Sequence, residues 1–241
     1  MNAAHERIGF DLGHLFGKRP PRRATGALAD FYQVPALDPI TSLRDAPLLA
    51  VDVETTGLNP RKDLLLSIGW VPIDGLRIRT AGAGYSVIHH PPEALEKVQG
   101  LRQSATIHGL THTDIAEGEP LGMVLERLLA SLKGRAMVVH FSQIEREFLT
   151  HACRKEFGSG LKMPIADTFA IEKRHFERMA TFPRGEDLRL PRVRERYGLP
   201  HYGAHNALSD ALACGELLLA MIAHGRNRNG DRGDVASILE S

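Results

Sequence analysis

Apolar residues cluster in short runs that predict the strands of this chain. LLAVDVETTGL, which begins at Leu48, is mostly apolar and predicts a buried strand that ends in a turn at Gly57. The segment from Leu65 predicts a hairpin that turns at Asp74-Gly75, because Asp-Gly is a preferred two-residue hairpin turn. Further strands are predicted in three other runs: YSVIHH, AMVVHF and PIADTF.

Longer segments with a helical spacing of apolar residues alternate with the later strands. They predict helices in PLGMVLERLLASLKG, SQIEREFLTHACRKEF, LRLPRVRERYGL and ALSDALACGELLLAMIAHG. Another helix is predicted to continue from the strand in PIADTFAIEKRHF. Because neighbouring strands come first and strands then alternate with helices, we predict an α/β fold with a mixed sheet flanked by helices.

The two ends of the chain differ in composition from the middle. Residues 1–46 contain the basic segment RPPRR and a short helix-like ALADFY, and we predict an extension that packs on the domain or stays mobile. Residues 47–224 hold the predicted strands and helices of a single domain. Residues 225–241 are mostly polar and predict a flexible tail.

Composition and charge are those of an ordinary soluble protein, with 43% hydrophobic and 24% charged residues. The net charge of +1 argues against a protein that coats nucleic acid, but not against an enzyme that binds a few phosphates. No apolar run approaches the roughly 20 residues that span a bilayer, and MNAAHERIGF lacks the apolar core of a secretory signal. Because Cys153 and Cys214 lie in helical patterns, we expect reduced thiols and a cytoplasmic location.

Acidic residues interrupt the first strand. Asp52 and Glu54 alternate with apolar residues, so both side chains leave the same face. Carboxylates inside an apolar strand are costly unless they are paired or bind a metal, although a strand end open to solvent would also accommodate them. Near the last helix, HNALSD supplies His205 and Asp210. Asp210 by itself is explained by the helix dipole, which favours an acidic residue in the first turn.

The four residues together suit a metal site that activates water. Carboxylates that converge on one point repel each other unless divalent cations neutralise them, and oxygen ligands suit Mg²⁺ or Mn²⁺. A neighbouring histidine can accept a proton from the attacking water. We therefore predict a metal site formed by Asp52, Glu54 and Asp210, with His205 as general base.

Glu145 fits two interpretations. Ser142-Gln143-Ile144-Glu145 matches the S-x-x-E capping box, in which the glutamate accepts a hydrogen bond from the backbone N–H of the capping residue. The alternative is a metal ligand, either direct or through water. The local pattern does not decide between them.

Several of these segments resemble the DEDDh 3′–5′ exonuclease superfamily, which includes polymerase proofreading subunits, ribonuclease T and oligoribonuclease. The resemblance covers roughly residues 47–224. DVETTGL and YGLPHYGAHNALSDALACGELLL carry it most strongly, and TIHGLT and ADTF add weaker matches. The second motif departs from the family pattern His-Asn-x-x-Phe-Asp. Here Phe141 replaces the Asn, and Glu145 falls where the family places a catalytic Asp.

The resemblance implies a ribonuclease-H-like mixed sheet of about five strands and an enzyme that releases nucleoside 5′-monophosphates from 3′ ends. It implies two Mg²⁺ or Mn²⁺ ions held by Asp52, Glu54, Glu145 and Asp210, with His205 as base. The implied substrate contacts are Thr55, Gly57, Leu58 and His140. Leu58 would wedge against the terminal base, or instead pack under its turn. His140 would orient the site or simply end a strand, and Asp167 would support the site.

The sequence leaves several alternatives open. The substrate is a 3′ end of single-stranded DNA or RNA, without a preference that the residues reveal. A homodimer and a polymerase-type partner are both compatible with the chain. A catalytically weak nucleic-acid-binding or scaffolding module of the same fold is the alternative function, although the intact acidic set argues against it. His89 and His90 are expected in a loop, and His108 and His112 lack the further ligands of a zinc site.

Overall fold

A mixed β-sheet forms the centre of the molecule. The computed structural model describes residues 21, 23–97, 109–203, 206–225 and 233–240. The strands in this part of the chain are β1 (Pro47–Thr55), β2 (Leu65–Asp74), β3 (Arg77–Ile78), β4 (Gly84–Val87), β5 (Ala136–Val139) and β6 (Ile165–Asp167). Their order is β3-β2-β1-β5-β6, and β4 also pairs with β2. β2 is antiparallel to β1, β3 and β4, whereas β5 is parallel to β1 and β6. The predicted mixed sheet and its hairpin are confirmed.

Helices cover both faces of the sheet, as predicted. They are α1 (Gly26–Gln33), α2 (Pro92–Glu96), α3 (His112–Ala116), α4 (Leu121–Leu132), α5 (Gln143–Phe157), α6 (Thr168–Arg178), α7 (Leu190–Arg196) and α8 (Ala207–Ala223). Alternate residues of β1 face opposite layers. Leu49, Val51 and Val53 pack in a core with α1, α4 and α5. Leu48 and Ala50 pack in a second core with α8.

Two glycines let α8 lie close to the sheet. A Cβ atom on Gly69 would lie 2.2 Å from the backbone carbon of Ala207 and the nitrogen of Leu208. Gly69 is also the residue of β2 that pairs with Asp52 of β1. Further along α8, Gly215 also lies close to the sheet. A Cβ atom added to Gly215 would lie 3.3 Å from the Cβ atom of Ala50. The first turn of α8 is therefore held against the part of the sheet that carries the acidic strand residues.

The segments at both ends of the domain pack on it. In the N-terminal extension, α1 buries Leu28 and Phe31 against α4 and α5. At the other end, Val235, Ile238 and Leu239 are buried in the core beside α8. The predicted flexible tail is therefore wrong for residues 233–240, because these apolar side chains are buried in the second core. Residues 226–232 and 241 lie outside the described residues.

Backbone hydrogen bonds join these two end segments to each other. The N–H of Leu43 donates to Gly233 O (2.6 Å), and the N–H of Val235 donates to Thr41 O (2.9 Å). None of the helices in the part of the chain that the structure describes is long and apolar enough to cross a membrane. Cys153 and Cys214 are free and buried, in agreement with the predicted reduced thiols.

Candidate active site

The predicted acidic residues of β1 and α8 meet at one point. Ligand oxygens of Asp52, Glu54 and Asp210 all lie within 4.8 Å of one another, and the three side chains are partly buried. Asn206 begins α8 and fixes its first turn, because its Oδ1 accepts hydrogen bonds from the N–H groups of Leu208 and Ser209, at 3.2 Å each. The strand spacing and the helix start together account for the cluster.

Crowding and burial favour the neutral forms of these carboxylates. Burial first, and then the charges of Glu145, Glu54 and Asp210, raise the pKa of Asp52 well above its usual value. Burial and the charge of Asp210 raise the pKa of Glu54 to about 7. Each ionised carboxylate opposes ionisation of the next. A positive charge placed among them would therefore be bound strongly.

Glu145, in the first turn of α5, is not in the group of carboxylates within 4.8 Å of one another, but its charge acts on Asp52. Its side chain is 3% exposed, and its Oε2 has no hydrogen-bond partner among the described residues. Burial, with the charges of Asp167 and Glu54, raises the pKa of Glu145 to about 8. A buried carboxylate oxygen without a partner is costly, and a bound cation would satisfy it. The contribution of Glu145 to the raised pKa of Asp52 indicates that these two carboxylates are near each other.

The S-x-x-E segment does not form a capping box. Ser142 has helical backbone angles (φ −51°, ψ −18°) and makes no side-chain cap. Its hydroxyl instead contacts Glu240 of the C-terminal segment. The capping interpretation of Glu145 is therefore wrong, since a residue that is already helical presents the wrong geometry for the box.

The carboxylate of Asp167 accepts the backbone hydrogen bonds at the start of α5. Its Oδ1 accepts from the N–H of Phe141 and its Oδ2 from the N–H of Ser142, both at 2.9 Å. Oδ1 also accepts from the N–H of Phe169 at 2.8 Å, which caps α6. The predicted supporting role of Asp167 agrees with these contacts, because one buried carboxylate holds the starts of two helices.

His140 contacts other protein atoms through both of its ring nitrogens. Its Nδ1 lies 2.9 Å from Thr168 Oγ1 and its Nε2 lies 2.8 Å from the carbonyl oxygen of Leu188. Since a carbonyl only accepts, Nε2 carries a proton. Burial lowers the pKa of His140 despite this hydrogen bond. The substrate-binding role of His140 stays a prediction, and the contacts of both ring nitrogens with the protein agree with the alternative orienting role.

The turn after β1 displays an apolar side chain beside the carboxylates. Thr55 Oγ1 donates to Gly57 O at 2.7 Å. A side chain on Gly57 would collide with the carboxylate of Asp63, at 2.6 Å. Leu58 is 75% exposed, so the interpretation that it packs under the turn is wrong. Thr55, Gly57 and Leu58 remain predicted substrate contacts.

The structure describes three of the other histidines considered above, namely His89, His90 and His112. His205 and His108 lie outside the described residues. The ring nitrogens of His89 and His90 contact the carbonyl oxygens of Ala116 and Leu65, each at 2.8 Å, as expected for residues that hold a loop. His112 belongs to no group of potential metal ligands in the described part of the chain.

A polar network beside Asp210 escaped the sequence analysis. The guanidinium of buried Arg194 donates to Pro200 O and Glu216 Oε2, both at 2.9 Å, and lies 4.7 Å from the ring centre of Tyr202. The Tyr202 hydroxyl donates to Glu216 Oε1 at 2.8 Å. A small pocket lined by Arg194, Tyr202 and Asp210 adjoins this network. Arg194 lies in a segment with many charged residues, and nothing in that local sequence indicates its burial.

Comparison with known proteins supports the assignment that the geometry suggests. The exonuclease family of the ribonuclease T type matches residues 49–218, which is more than half of the 241 residues. The chain belongs to this exonuclease family. The predicted superfamily and enzyme class are thereby confirmed.

Relatives of this exonuclease include replication proteins. DNA polymerase III subunit epsilon of Treponema pallidum is 28% identical over 184 residues, which cover 75% of this chain and 79% of the relative. DNA polymerase III PolC-type of Thermotoga maritima is 28% identical over 178 residues, which cover 74% of this chain. The chain spans only 12% of the length of that PolC-type relative.

A solved structure confirms the fold of the exonuclease. The nuclease domain of 3′hExo, a DEDDh family member bound to rAMP, superimposes with a TM-score of 0.65 at 13% identity. The similarity covers 83% of this chain and 99% of that domain. The predicted ribonuclease-H-like sheet flanked by helices is therefore confirmed.

Proposed function

We propose that this chain is a metal-dependent 3′–5′ exonuclease that hydrolyses phosphodiester bonds of DNA or RNA and releases nucleoside 5′-monophosphates. The observation that carries the proposal is the convergence of Asp52, Glu54 and Asp210 within 4.8 Å. The buried Glu145, whose Oε2 lacks a hydrogen-bond partner among the described residues, adds a fourth carboxylate.

The residues present fit divalent metal ions. Every candidate ligand atom is a carboxylate oxygen, which suits Mg²⁺ or Mn²⁺ better than softer metals. Asp52, Glu54, Glu145 and Asp210 would hold two ions, in agreement with their crowding and with the raised pKa of Asp52, Glu54 and Glu145. When bound, such ions activate water and stabilise charge on the departing oxygen.

Residues around the acidic cluster would supply the proton acceptor and the contacts to the terminal nucleotide. A water oxygen attacks phosphorus, the bond from phosphorus to the 3′ oxygen of the preceding nucleotide breaks, and the phosphate stays on the 5′ oxygen of the released nucleotide. We assign His205 as the base that accepts the proton of the water, since it lies five residues before Asp210 in HNALSD. The turn of Thr55 and Gly57, with exposed Leu58, would position the terminal nucleotide.

The names of two similar proteins bear on the protein partner and on the nucleotide that this chain would bind. The epsilon subunit relative is named as part of DNA polymerase III, which supports a polymerase-type partner for this chain, and a homodimer is the other candidate. The rAMP in the 3′hExo structure supports a site that accepts a nucleoside monophosphate. We also propose a cytoplasmic location, which reduced cysteines would suit.

The test uses matched oligonucleotides with a label at either end. Purified protein should shorten single-stranded DNA or RNA from the 3′ end in Mg²⁺ or Mn²⁺, release mononucleotides and stop on addition of a chelator. The comparison of DNA, RNA and duplex ends will define the substrate. Early release of 5′-terminal nucleotides would contradict the polarity. Tight binding without any hydrolysis would favour the weak binding or scaffolding module instead.

A further inference from the structure

An exposed aromatic residue just past the end of β5 has an unusual backbone conformation. Phe141 has φ +77°, one of few positive values at residues other than glycine in the described part of the chain. Bulky residues rarely adopt this left-handed region, because their side chains crowd the backbone. Phe141 is nevertheless 42% exposed. Strain at an exposed residue is not explained by packing and points toward function.

The surrounding contacts hold this conformation in place. The N–H of Phe141 donates to Oδ1 of buried Asp167 at 2.9 Å. The ring meets the edge of Phe169 in a T-shaped pair with 5.2 Å between ring centres and an angle of 70° between the rings. Phe169 also contacts the His140 ring. Phe141 is thus fixed on one side by an aromatic neighbour, while its remaining surface faces solvent.

The position of Phe141 places this surface at the candidate site. Phe141 lies two residues before the first residue of α5, and the first turn of that helix carries Glu145. It comes two residues after the end of β5, which runs parallel to β1 with Val138 opposite Ala50. Both strands therefore end at the same edge of the sheet, where β1 presents Asp52 and Glu54.

An exposed arginine follows a residue that contacts the neighbour of Phe141. His140, the neighbour of Phe141, donates from Nε2 to the carbonyl of Leu188. The next residue is Arg189, which is exposed. An exposed aromatic ring suits single-stranded nucleic acid because bases stack on it, and a basic residue in the same region would suit the phosphates.

We propose that Phe141 is a stacking platform for an unpaired base of the substrate strand, and that it makes the site select single-stranded 3′ ends. This inference rests on the proposed exonuclease function and names its substrate class. A base in a duplex is already stacked on its neighbours, so only a splayed base can cover the ring. The asparagine at this position of the family pattern offers no comparable stacking surface, so the property belongs to this chain.

The test compares binding by variants that differ in the ring. Phe141→Asn removes the ring but keeps a residue that tolerates the left-handed region, and Phe141→Trp keeps a ring. Met123→Ala is the control, since Met123 is also exposed but lies on α4. Binding of a fluorescent single strand is followed by anisotropy in Ca²⁺, and hydrolysis is measured separately in Mg²⁺. Phe141→Asn should weaken single-strand binding by about 5- to 150-fold, the range for loss of one stacked base.

Abasic strands identify the partner of the ring. A series with one missing base at each position near the 3′ end should contain one strand that wild type and Phe141→Asn bind equally. Phe141→Trp and Met123→Ala should bind the normal strand as wild type does, and duplex ends should bind equally to all variants. If Phe141→Asn misfolds, the abasic series is still measured with the wild-type protein. The proposal then requires that one of the abasic strands binds about 5- to 150-fold more weakly than the intact strand.

Several results would overturn the proposal. Unchanged single-strand binding by folded Phe141→Asn would do so, and so would an equal loss on every abasic strand, which would place the contact on the backbone. A wild-type protein that binds single strands through Phe141 but hydrolyses none would instead refute the proposed function. The two failures are therefore distinguishable.

Discussion

At the scale of single residues, Glu145 carries a burial cost that its protein surroundings do not offset. It lies buried near Asp167 and Glu54, and its Oε2 has no hydrogen-bond partner within the described ranges. Glutamine has the same shape without the charge. The substitution therefore separates the need for a negative charge from the need for a side chain of that size.

Glu145→Gln should abolish most activity without destabilising the protein. A metal ion contributes several kcal/mol of charge stabilisation, so kcat should fall by about 10²-fold or more when a ligand is lost. The melting temperature should stay near that of wild type or rise, because repulsion among the carboxylates decreases. Glu145→Asp is the control and should retain partial activity, since aspartate occupies this position in the family pattern. A fully active Glu145→Gln enzyme would remove Glu145 from the site.

The stability of the metal-free protein should fall as the pH rises from about 5 to 8. The pKa values of Glu54 and Glu145 are raised from the ordinary 4.5 to about 7 and about 8. Folding thus favours their protonated forms, and this contribution is complete below the ordinary pKa and is lost as the pH rises through the folded values. Thermal unfolding in chelator measures the trend.

Two comparisons isolate the carboxylates from other titrating groups. Glu145→Gln stays neutral at every pH, so its melting temperature should fall less than that of wild type over the same range. Saturating Mg²⁺ should flatten the wild-type curve, because bound cations stabilise the ionised carboxylates. Identical pH curves for the two proteins in chelator would show that Glu145 ionises normally.

At the scale of elements, the contact between α8 and β2 determines whether the site forms. Strand spacing placed Asp52 and Glu54 on one face, and the helix start placed Asp210, so these residues could be predicted. The contact that joins them depends on Gly69, whose missing side chain leaves room for the backbone of Ala207. Local sequence patterns do not reveal which helix will approach a given strand glycine.

Gly69→Ala should therefore damage both stability and activity. Its Cβ would lie 2.2 Å from the backbone of α8, so the helix must shift and carry Asp210 away from Asp52. Overpacking of this kind costs about 1–3 kcal/mol, or about 2–4 °C in melting temperature for each kcal/mol at this size. Gly185→Ala is the matched control, because an added Cβ there meets no atom within 4 Å. A Gly69→Ala protein with wild-type activity would show that the helix position is not critical.

At the scale of the whole molecule, the sequence predicted the sheet, its flanking helices and the acidic cluster better than it predicted the ends. Val235, Ile238 and Leu239 lie in a short apolar group within a polar segment, and that pattern alone did not outweigh the surrounding polarity. Asp167 and Ser142 show the same limit, since the cap of α5 comes from a different strand. Contacts between distant segments are what the local analysis could not supply.

The packed C-terminal segment can be tested with a matched pair of isoleucines. Ile238 is 1% exposed and Ile40 is 81% exposed. Ile238→Ala should cost about 2–5 kcal/mol, as for other buried isoleucines, whereas Ile40→Ala should leave the melting temperature nearly unchanged. Differential scanning calorimetry measures both. Equal melting temperatures for the two variants would instead support the flexible tail that the sequence predicted.

The acidic cluster combines residues from the first long strand and the last long helix of the domain. Contacts between such distant segments are slow to form, because a large loop must close before they contribute. A nascent chain that still lacks α8 therefore has no complete set of carboxylates, however well its sheet has formed. Nucleic-acid cleavage is in this way tied to the completion of folding, and the return of hydrolysis after denaturation would time the docking of α8 on the sheet.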